Sequence, residues 1–591
     1  MPAQAQDVVL DLQEDWKFQY VPRLTDGVST LIRDDDLAGT NLIECENLYY
    51  YQHELRSDTG YATFGQTLRG EPRRSYQFLK QSGSVELLLV TNDTFYLKVD
   101  DEWHYVSDGT STSCTDGEPA GETSIVVGDI TGFSDGDFVG IILDDGTQHQ
   151  TTINGVPAGV TIVITDAVPV GLTISAAAEF VKAVDLTGDP SKQISIVTDP
   201  SQDDVIFTNG IDAVQVYDGS TCEALGGLSG IGVSTCAALI IFQSSLLLFG
   251  TVETGSSFTQ RIRWSDTADF IDWTTGNASY LDLFDNEDPI TSGVLLGPYC
   301  IVYRTRSIVR GEYIGSTERL YNFETVISDE GCQSHDGVVD MQDHHIFFGN
   351  DGVYEYRGGA NITPISEDIY SVLFGTLGEV HPSYISRIFG FRVPELKEVW
   401  FFYTVSGGTY PTKTARYRID TGAWTFRTWQ EGISGFGTYF NIEGLRWIDA
   451  EGTWAEQDWY WTSSKLLAQA PVILLGLAET LETVTYDHLA VTDDGTDIVW
   501  HAVTKAFSHP RFKFRVDDFQ FRAKGTAVLI EYLIDDGSWT TYENVTLNAT
   551  ATDHQITNQF VTKRVQWRIS GTGAGFSMDW IGFSYEFESE W

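Results

Sequence analysis

The sequence predicts an all-β protein: a β-propeller carrying a small inserted β-domain and a C-terminal β-sandwich. Glycine is abundant (56) and proline modest (16), and short alternating aromatic runs are punctuated by Asp-Gly and Asn-Gly. Those dipeptides supply the positive φ of tight hairpin turns. An apolar strand ending at Asn, a turn and an aromatic alternating strand recur at Leu88–Leu97, Val205–Tyr217 and Ile346–Tyr356. Looser copies lie at Leu246–Gly250, at Cys300–Tyr303 before Ser307–Gly311, and at Val399–Tyr403 before Tyr417–Trp424. Units of strand, turn and strand roughly 45 to 60 residues apart, once one insertion is removed, are the sequence form of propeller blades.

Taken in order, residues 1–113 hold the N-terminal part and the first propeller strands. Residues 114–182 form the insertion, with strands at Thr123–Val127, Phe138–Leu143 and Val160–Ile164, a turn at Asp144-Asp145-Gly146, and almost no aromatics. A loop insertion of this kind carries contacts rather than stability. Residues 183–470 continue the propeller, with one short helix expected after Ser366 as N-cap, Ile369 and Leu373 sharing a face before Gly375. From 471 to 591 the period of two is clear: Phe512, Phe514 and Val516 alternate with Lys513 and Arg515, and Ile581, Phe583, Tyr585 and Phe587 repeat it. These half-buried antiparallel strands predict a separate sandwich.

The 591 residues carry 36 Lys plus Arg against 84 Asp plus Glu, a formal charge of −48, and only 12 of the cations are Lys. With 42% hydrophobic and 13% aromatic residues the chain folds nonetheless. Such a surface repels polyanions, which disfavours a phosphate-reading nucleic-acid binder and an anionic-membrane binder. Met1–Trp16 lacks a basic and an apolar leader region, so a product kept in the cytosol is expected. The longest apolar stretch, Cys236–Phe249, is broken by Gln243, Ser244 and Ser245 and falls short of the ~20 residues of a membrane helix, so no membrane insertion is expected. Six cysteines without a C-x-x-C predict reduced, buried thiols.

Chemical motifs are weak. Gly132-Phe-Ser134-Asp-Gly136 matches a nucleophile elbow in letters only, because its surroundings are all β. Cys332, His335, His344 and His345 match no common zinc spacing, and His344 and His345 fall on opposite faces of a strand. Asp clusters at 34–36, 135–137, 144–145, 493–494 and 535–536 read as hairpin turns rather than calcium loops. No catalytic residue, metal or cofactor is assigned. Carboxylate pairs suited to glycoside hydrolysis stay open, since their separation is not encoded in spacing.

One stretch is distinctive: Arg261-Ile-Arg-Trp264-Ser265-Asp266, then Asp269–Trp273, Asp288-Pro-Ile290, Ile301–Ile308 with Arg304 and Ser307, Gly331–Ser334, and Gly349–Tyr354 with Gly352. It resembles the tail hub or nozzle proteins of short-tailed bacteriophages and related tailed viruses, also called tail tubular protein B. Trp264, Ser265, Asp266, Trp273, Arg304, Ser307, Gly352 and Tyr354 are the motif residues. The insertion, with Gly132–Thr147, resembles a small β-domain often found in such hubs, and the motifs cover residues 85–370. The resemblance implies a structural virion protein without catalytic residues, made in the host cytoplasm. Its copies, usually six, form a ring below the head-to-tail adapter, with tail fibres, spikes or a needle docked outside and dsDNA passing transiently through the lumen. On this reading an acid-lined wall repels phosphates, and Asp135, Asp137, Asp144 and Asp145 are expected at the channel or its tip. The alternative is a virion-borne propeller that binds or cleaves glycans, for which 16 Trp provide stacking material. An acid-rich, Lys-poor surface suits high ionic strength and predicts a virus of a halophilic or marine host.

Overall fold

The computed structural model describes residues 17–588 apart from 22–23, 25, 32, 35, 52–53, 286, 317–319, 376–377, 441–470, 487–489, 510 and 536. Asp35 and Asp536 of the acidic clusters, and the ends of the expected 1–113, 183–470 and 471–591 segments, lie outside these residues.

Among the described residues, seven four-stranded antiparallel meanders form the blades of a propeller. Their first strands are Pro72–Leu79, Ser195–Asp199, Val233–Phe242, Ile290–Leu296, Val338–Asp340, Phe389–Val393 and Ile433–Phe440. The strand pairs recognised in the sequence are the second and third strands of blades 1, 2, 4 and 5; Leu246–Gly250 lies in the second strand of blade 3, and in blade 6 Val399–Tyr403 lies in the second strand while Tyr417–Trp424 spans the turn from the third strand to the fourth. Second strands such as Tyr299–Arg304, His345–Phe348 and Glu398–Tyr403 are buried almost throughout. A central strand covered by neighbouring blades on both faces is apolar without alternation. Consecutive blades are joined by apolar clusters: Phe95 with Phe207 (1–2), Ile206 with Leu248 (2–3), Phe249 with Val302 (3–4), Tyr303 with Phe347 (4–5), Phe348 with Phe401 (5–6), and Phe402 with Leu475 (6–7). Leu474 of blade 7 meets Leu89, Tyr96 and Trp103 of blade 1, which closes the ring.

Blade 7 is assembled from distant parts of the chain. Ile433–Phe440 pairs with Pro471–Leu477, which pairs with Thr483–Tyr486, and the outer strand is the N-terminal Tyr61–Thr63. A parallel contact between Phe436 and Arg74 ties this blade to blade 1.

The inserted β-domain has two sheets, strands 107–113, 179–183, 138–142 and 148–152 in one and 124–126 with 161–163 in the other. Its core is Ile125, Val139, Ile141, Ile153, Ile162, Ile164, Ile174 and Phe180. Its first strand starts at Ser107, paired with Ala183, so the domain is wider than 114–182 at its N-terminal end.

The C-terminal sandwich is not made by residues 471–591 alone. One sheet unites Ser577–Phe587, Phe514–Lys524 and Thr552–Thr562 with the N-terminal strands Lys17–Val21, Leu48–Tyr51 and Glu54–Ser57. The other places Leu42–Glu46 between Val499–Thr504 and the outer strand of blade 6, so one sheet runs from propeller into sandwich. The expectation of a separate unit fails because strands 499–504 and 577–587 need hydrogen-bonding partners on both sides, and N-terminal strands supply them. Strands 471–477 and 483–486 belong to blade 7 instead. Trp500, Phe519, Phe521, Trp567 and Phe583 fill the sandwich core.

The helix expected after Ser366 is one short turn, Tyr370–Leu373, behind a 3-10 turn Glu367–Ile369. Ser366 does not cap it; its hydroxyl accepts from Val353 N of blade 5 at 2.8 Å. All six cysteines are free and buried, and burial pushes the Cys114 thiol up to about 11 and that of Cys300 up to about 12.

Candidate functional site

The motif residues lie in blades 3, 4 and 5, and most of them hold turns. Trp264 ends the third strand of blade 3, where its indole N–H donates to Asn277 O at 2.8 Å. The Ser265 hydroxyl accepts from Leu246 N (3.0 Å) and donates to Asp266 O (2.9 Å), pinning the second strand to the third. Asp266 accepts from Asn277 N at 2.7 Å. Trp273 packs into the cluster between blades 2 and 3.

In blade 4, Asp288 accepts from the Ser307 hydroxyl at 2.6 Å and from Arg306 N at 3.0 Å, and it also bonds the Thr305 hydroxyl. One carboxylate therefore holds the whole 305–307 turn. Arg304 is fully buried, with its guanidinium on both oxygens of Asp285 at 2.8 and 2.9 Å and on Thr325 Oγ1 at 2.8 Å. The hydrogen bonds from Arg304 hold the Asp285 carboxyl well below the usual range. In blade 5 the hairpin closes through Gly349 N to Gly352 O at 2.7 Å, and a Cβ on Gly352 would lie 3.1 Å from the Tyr354 ring. The Tyr354 hydroxyl bonds Asp351.

At one end of the propeller the starts of the first strands of blades 1, 2, 5 and 6 bond to one another. Gln193, leading into blade 2, donates to Ile388 O of blade 6 (2.8 Å) and accepts from Ser334 Oγ (2.7 Å) and Asp336 N (2.8 Å) of blade 5. Arg74 of blade 1 reaches Asp336 at 3.4 Å. Arg73 donates to Pro190 O and Lys192 O at 3.0 and 2.7 Å, while Tyr410 bonds Glu71. The space left among Arg73, Gln193, Asp336, Arg387 and Tyr410 is about 10 Å³. The carboxylates here, Glu71 and Asp336, are engaged by their neighbours.

The four acids expected at a channel are all on the inserted domain and all hold turns. Asp135 accepts from Gly155 N (2.7 Å), Asp144 from Thr173 N and Oγ1 (3.1 and 2.9 Å), and Asp145 from Thr147 N and Oγ1 (3.0 and 2.7 Å). Asp137 accepts from Ser134 N at 2.7 Å, the middle of the formal elbow motif, and pairs with Lys182 at 3.0 Å. Between this domain and blades 1 and 2 opens a cleft of about 730 Å³ lined by Arg69, Asp108, Asp137, Lys182, Asp185 and Glu223. Its two cations are both matched, Lys182 by Asp137 and Arg69 by Asp185 at 3.1 Å.

Cys332, His335, His344 and His345 do not converge. The Tyr303 hydroxyl bonds His345 Nδ1 (2.9 Å), His345 Nε2 donates to Leu295 O (3.0 Å), and burial of the ring favours its neutral form. His344 bonds Asp343, and the Cys332 thiol donates to backbone carbonyls. Among the described residues no group of three or more His, Cys, Asp or Glu is arranged for a metal ion.

Spacing gave no sign of a buried ionic cluster where blades 6 and 7 meet. Asp58, ahead of the N-terminal strand of blade 7, lies 2.6 Å from Arg416 and 2.9 Å from Arg427, and Arg427 also reaches Asp493 at 2.7 Å. Tyr486 donates to Asp58 at 2.7 Å, and Trp400 donates to Glu398 at 2.8 Å. Burial pushes Glu398 up to about 7 and Asp493 up to about 6, against the pull of Arg416 and Arg427 respectively. Burial also penalises ionised Asp58, but the two arginines outweigh it and hold that carboxyl below its usual range. The cluster joins residues from the N-terminus, blade 6 and the C-terminal third.

No protein-family model and no curated protein matches the chain. Among solved structures it is similar to PorZ, a surface component of the type-IX secretion system of Porphyromonas gingivalis, at 9% identity and TM-score 0.31, over 82% of this chain and 46% of that one. It thus spans under half the length of PorZ. Regucalcin from Agrobacterium tumefaciens, a calcium-binding protein, matches at 12% identity and TM-score 0.25 over 42% of this chain and 77% of that one. An exo-β-1,3-galactanase from Phanerochaete chrysosporium matches at 8% identity and TM-score 0.22 over 89% and 100%.

Proposed function

We propose that the chain is a structural subunit of a viral tail hub or nozzle, one copy of a ring below the head-to-tail adapter through which genomic DNA leaves. The observation that carries this reading is the motif run from Arg261 to Tyr354, whose residues Trp264, Ser265, Arg304, Ser307 and Gly352 build consecutive turns of blades 3 to 5. A second observation gives it mechanical form. Bonds among the strand starts of blades 1, 2, 5 and 6 tie them to one another at one end of the propeller, and on this reading the conduit is the space enclosed by several copies rather than a single propeller. The lumen wall is then an outer surface of each chain.

A net charge of −48 suits such a wall, because phosphates meet repulsion instead of lysine and arginine contacts and the duplex slides without being held. Fibres, spikes or a needle dock on the outer face of the ring. A glycan-cleaving propeller asks for paired carboxylates in an open pocket; in the open cleft beside the inserted domain Asp137 and Asp185 are paired with Lys182 and Arg69, and Glu71 and Asp336 at the strand starts are bonded to Tyr410 and Arg74.

Negative-stain microscopy and mass measurement of the purified chain, with its adapter where needed, test the reading. Closed rings are expected. A monodisperse monomer that degrades capsular polysaccharide overturns it.

A further inference from the structure

The outer face of the sandwich carries a second arrangement of side chains, independent of the ring reading. Strand Lys17–Val21 lies beside Ser577–Phe587, which pairs in turn with Phe514–Lys524 and then Thr552–Thr562. Inward residues such as Val21, Phe583, Phe521 and Phe519 fill the core. Outward residues fall into register across four strands. One row reads Tyr20, Gly582, Gln520, Gln555; the next reads Trp580, Arg522, Asp553.

Phe18 and Tyr20 are 44% and 48% exposed, although a large ring on a sheet face is ordinarily covered. They form one strip with Trp580, their centroids 6.3 Å (Phe18 to Tyr20) and 5.4 Å (Tyr20 to Trp580) apart. Phe18 lies down across the sheet: a Cβ on Gly582 would come within 2.5 Å of its ring tip, so the glycine makes the room for a flat ring. Two strands away, at ~4.8 Å per strand, sit planar hydrogen-bonding groups. Asp518, almost fully buried, accepts from Gln520 Nε2 at 3.0 Å, from Gln555 Nε2 and from Ser584 N at 3.1 Å. It therefore fixes both amides on the face. Arg522 is fixed likewise between Asp579 (3.0 Å) and Asp553 (3.2 Å).

Flat rings next to oriented amide, guanidinium and carboxylate groups match a pyranose chain, which offers an apolar C–H face to rings and hydroxyls to planar side chains. A protein-docking face of this size would carry an apolar centre with a polar rim; here the rings lie at one side and the polar groups at the other. The net charge of −48 selects among glycans, since acidic polymers are repelled. We propose that this face binds a neutral polysaccharide, with Phe18, Tyr20 and Trp580 as the stacking strip and Gln520, Gln555, Arg522 and Asp553 as its hydrogen-bonding partners.

Native affinity electrophoresis of the full chain through gels containing β-1,4-galactan, β-1,3-glucan, mannan or dextran, with dextran sulfate in parallel, tests this. Retardation by at least one neutral polymer is expected. The Tyr20→Ala/Trp580→Ala variant should weaken it by about tenfold or more, and Gln555→Ala, an exposed change that spares the core, by a few fold. Val170→Ser on the inserted domain should leave it unchanged. No retardation by any neutral polymer, retardation by dextran sulfate alone, or equal retardation of the double variant and wild type each overturn the proposal. Because ring formation is measured separately, either reading can fail without the other.

Discussion

Asp288 shows how this protein uses acids at the residue scale. Its carboxylate gathers two hydroxyls and a backbone N–H of one turn in blade 4. Asp218, Asp269 and Asp272 do the same with backbone N–H groups two or three residues ahead. Short acidic side chains bond local backbone readily, which is why they collect in hairpin loops. Asp288→Ala should therefore lower stability by about 2–3 kcal/mol, read by urea unfolding, with Asp288→Asn recovering part of it. Glu398 is the other kind of acid, buried with the Trp400 indole N–H donating to it. Burial raises its pKa to about 7, and that of Asp493 to about 6, both above the usual carboxylate range. For raised acids the contribution to stability is complete below the unfolded pKa and is lost as pH rises through the folded one. Stability should fall between about pH 4 and pH 7, by roughly 1.4 kcal/mol per pH unit for each group at most, and Glu398→Gln should flatten that slope in thermal melts across this range. A slope unchanged in the variant would assign it to other groups.

At the scale of elements, the blades differ in how they are closed. Blades 1 to 6 are local meanders, whereas blade 7 takes its outer strand from residues 61–63 and its inner strands from 433–440 and 471–486. Asp58, Arg416, Arg427 and Asp493 lock that composite blade to blade 6. Asp58→Ala leaves two buried guanidinium groups without their shared partner, a change expected to cost about 3–5 kcal/mol and to show as early loss of tertiary signal on heating. The inserted domain behaves oppositely. Its core is its own, and its ends meet at the Ser107–Ala183 pair. Replacing residues 108–182 by a short Gly-Ser linker should leave the propeller melting within a few degrees of the full chain.

For the whole molecule, 84 acids against 36 basic residues make self-repulsion the dominant long-range force. Screening shortens from ~30 Å at 0.01 M salt to ~3 Å at 1 M. The melting temperature, and the ring if it forms, should gain stability from 50 mM to 2 M salt; equal stability at both would remove the inference of a saline habitat. On the conduit reading, Asp144→Lys with Asp145→Lys should slow genome ejection from assembled particles, and wild-type ejection kinetics would place those residues away from the channel.

The sequence by itself determined the all-β class, six of the blades, the inserted domain and the alternation of the sandwich, because each rests on local spacing: a period of two, an Asn or Asp at a turn, a buried strand without polar breaks. It also marked Ser265, Arg304, Ser307 and Gly352, whose roles are completed by partners within the same blade. What only the tertiary structure decided are contacts between segments far apart in the chain: the seventh blade, the sharing of N-terminal strands by the sandwich, the bonds among Gln193, Asp336 and Arg74, and the Asp58 cluster. The aromatic face is of the same kind, since Tyr20 and Trp580 become neighbours only when the first and last described strands pair. Local pattern records which face a residue shows; strand pairing across hundreds of residues decides which other residue it meets there.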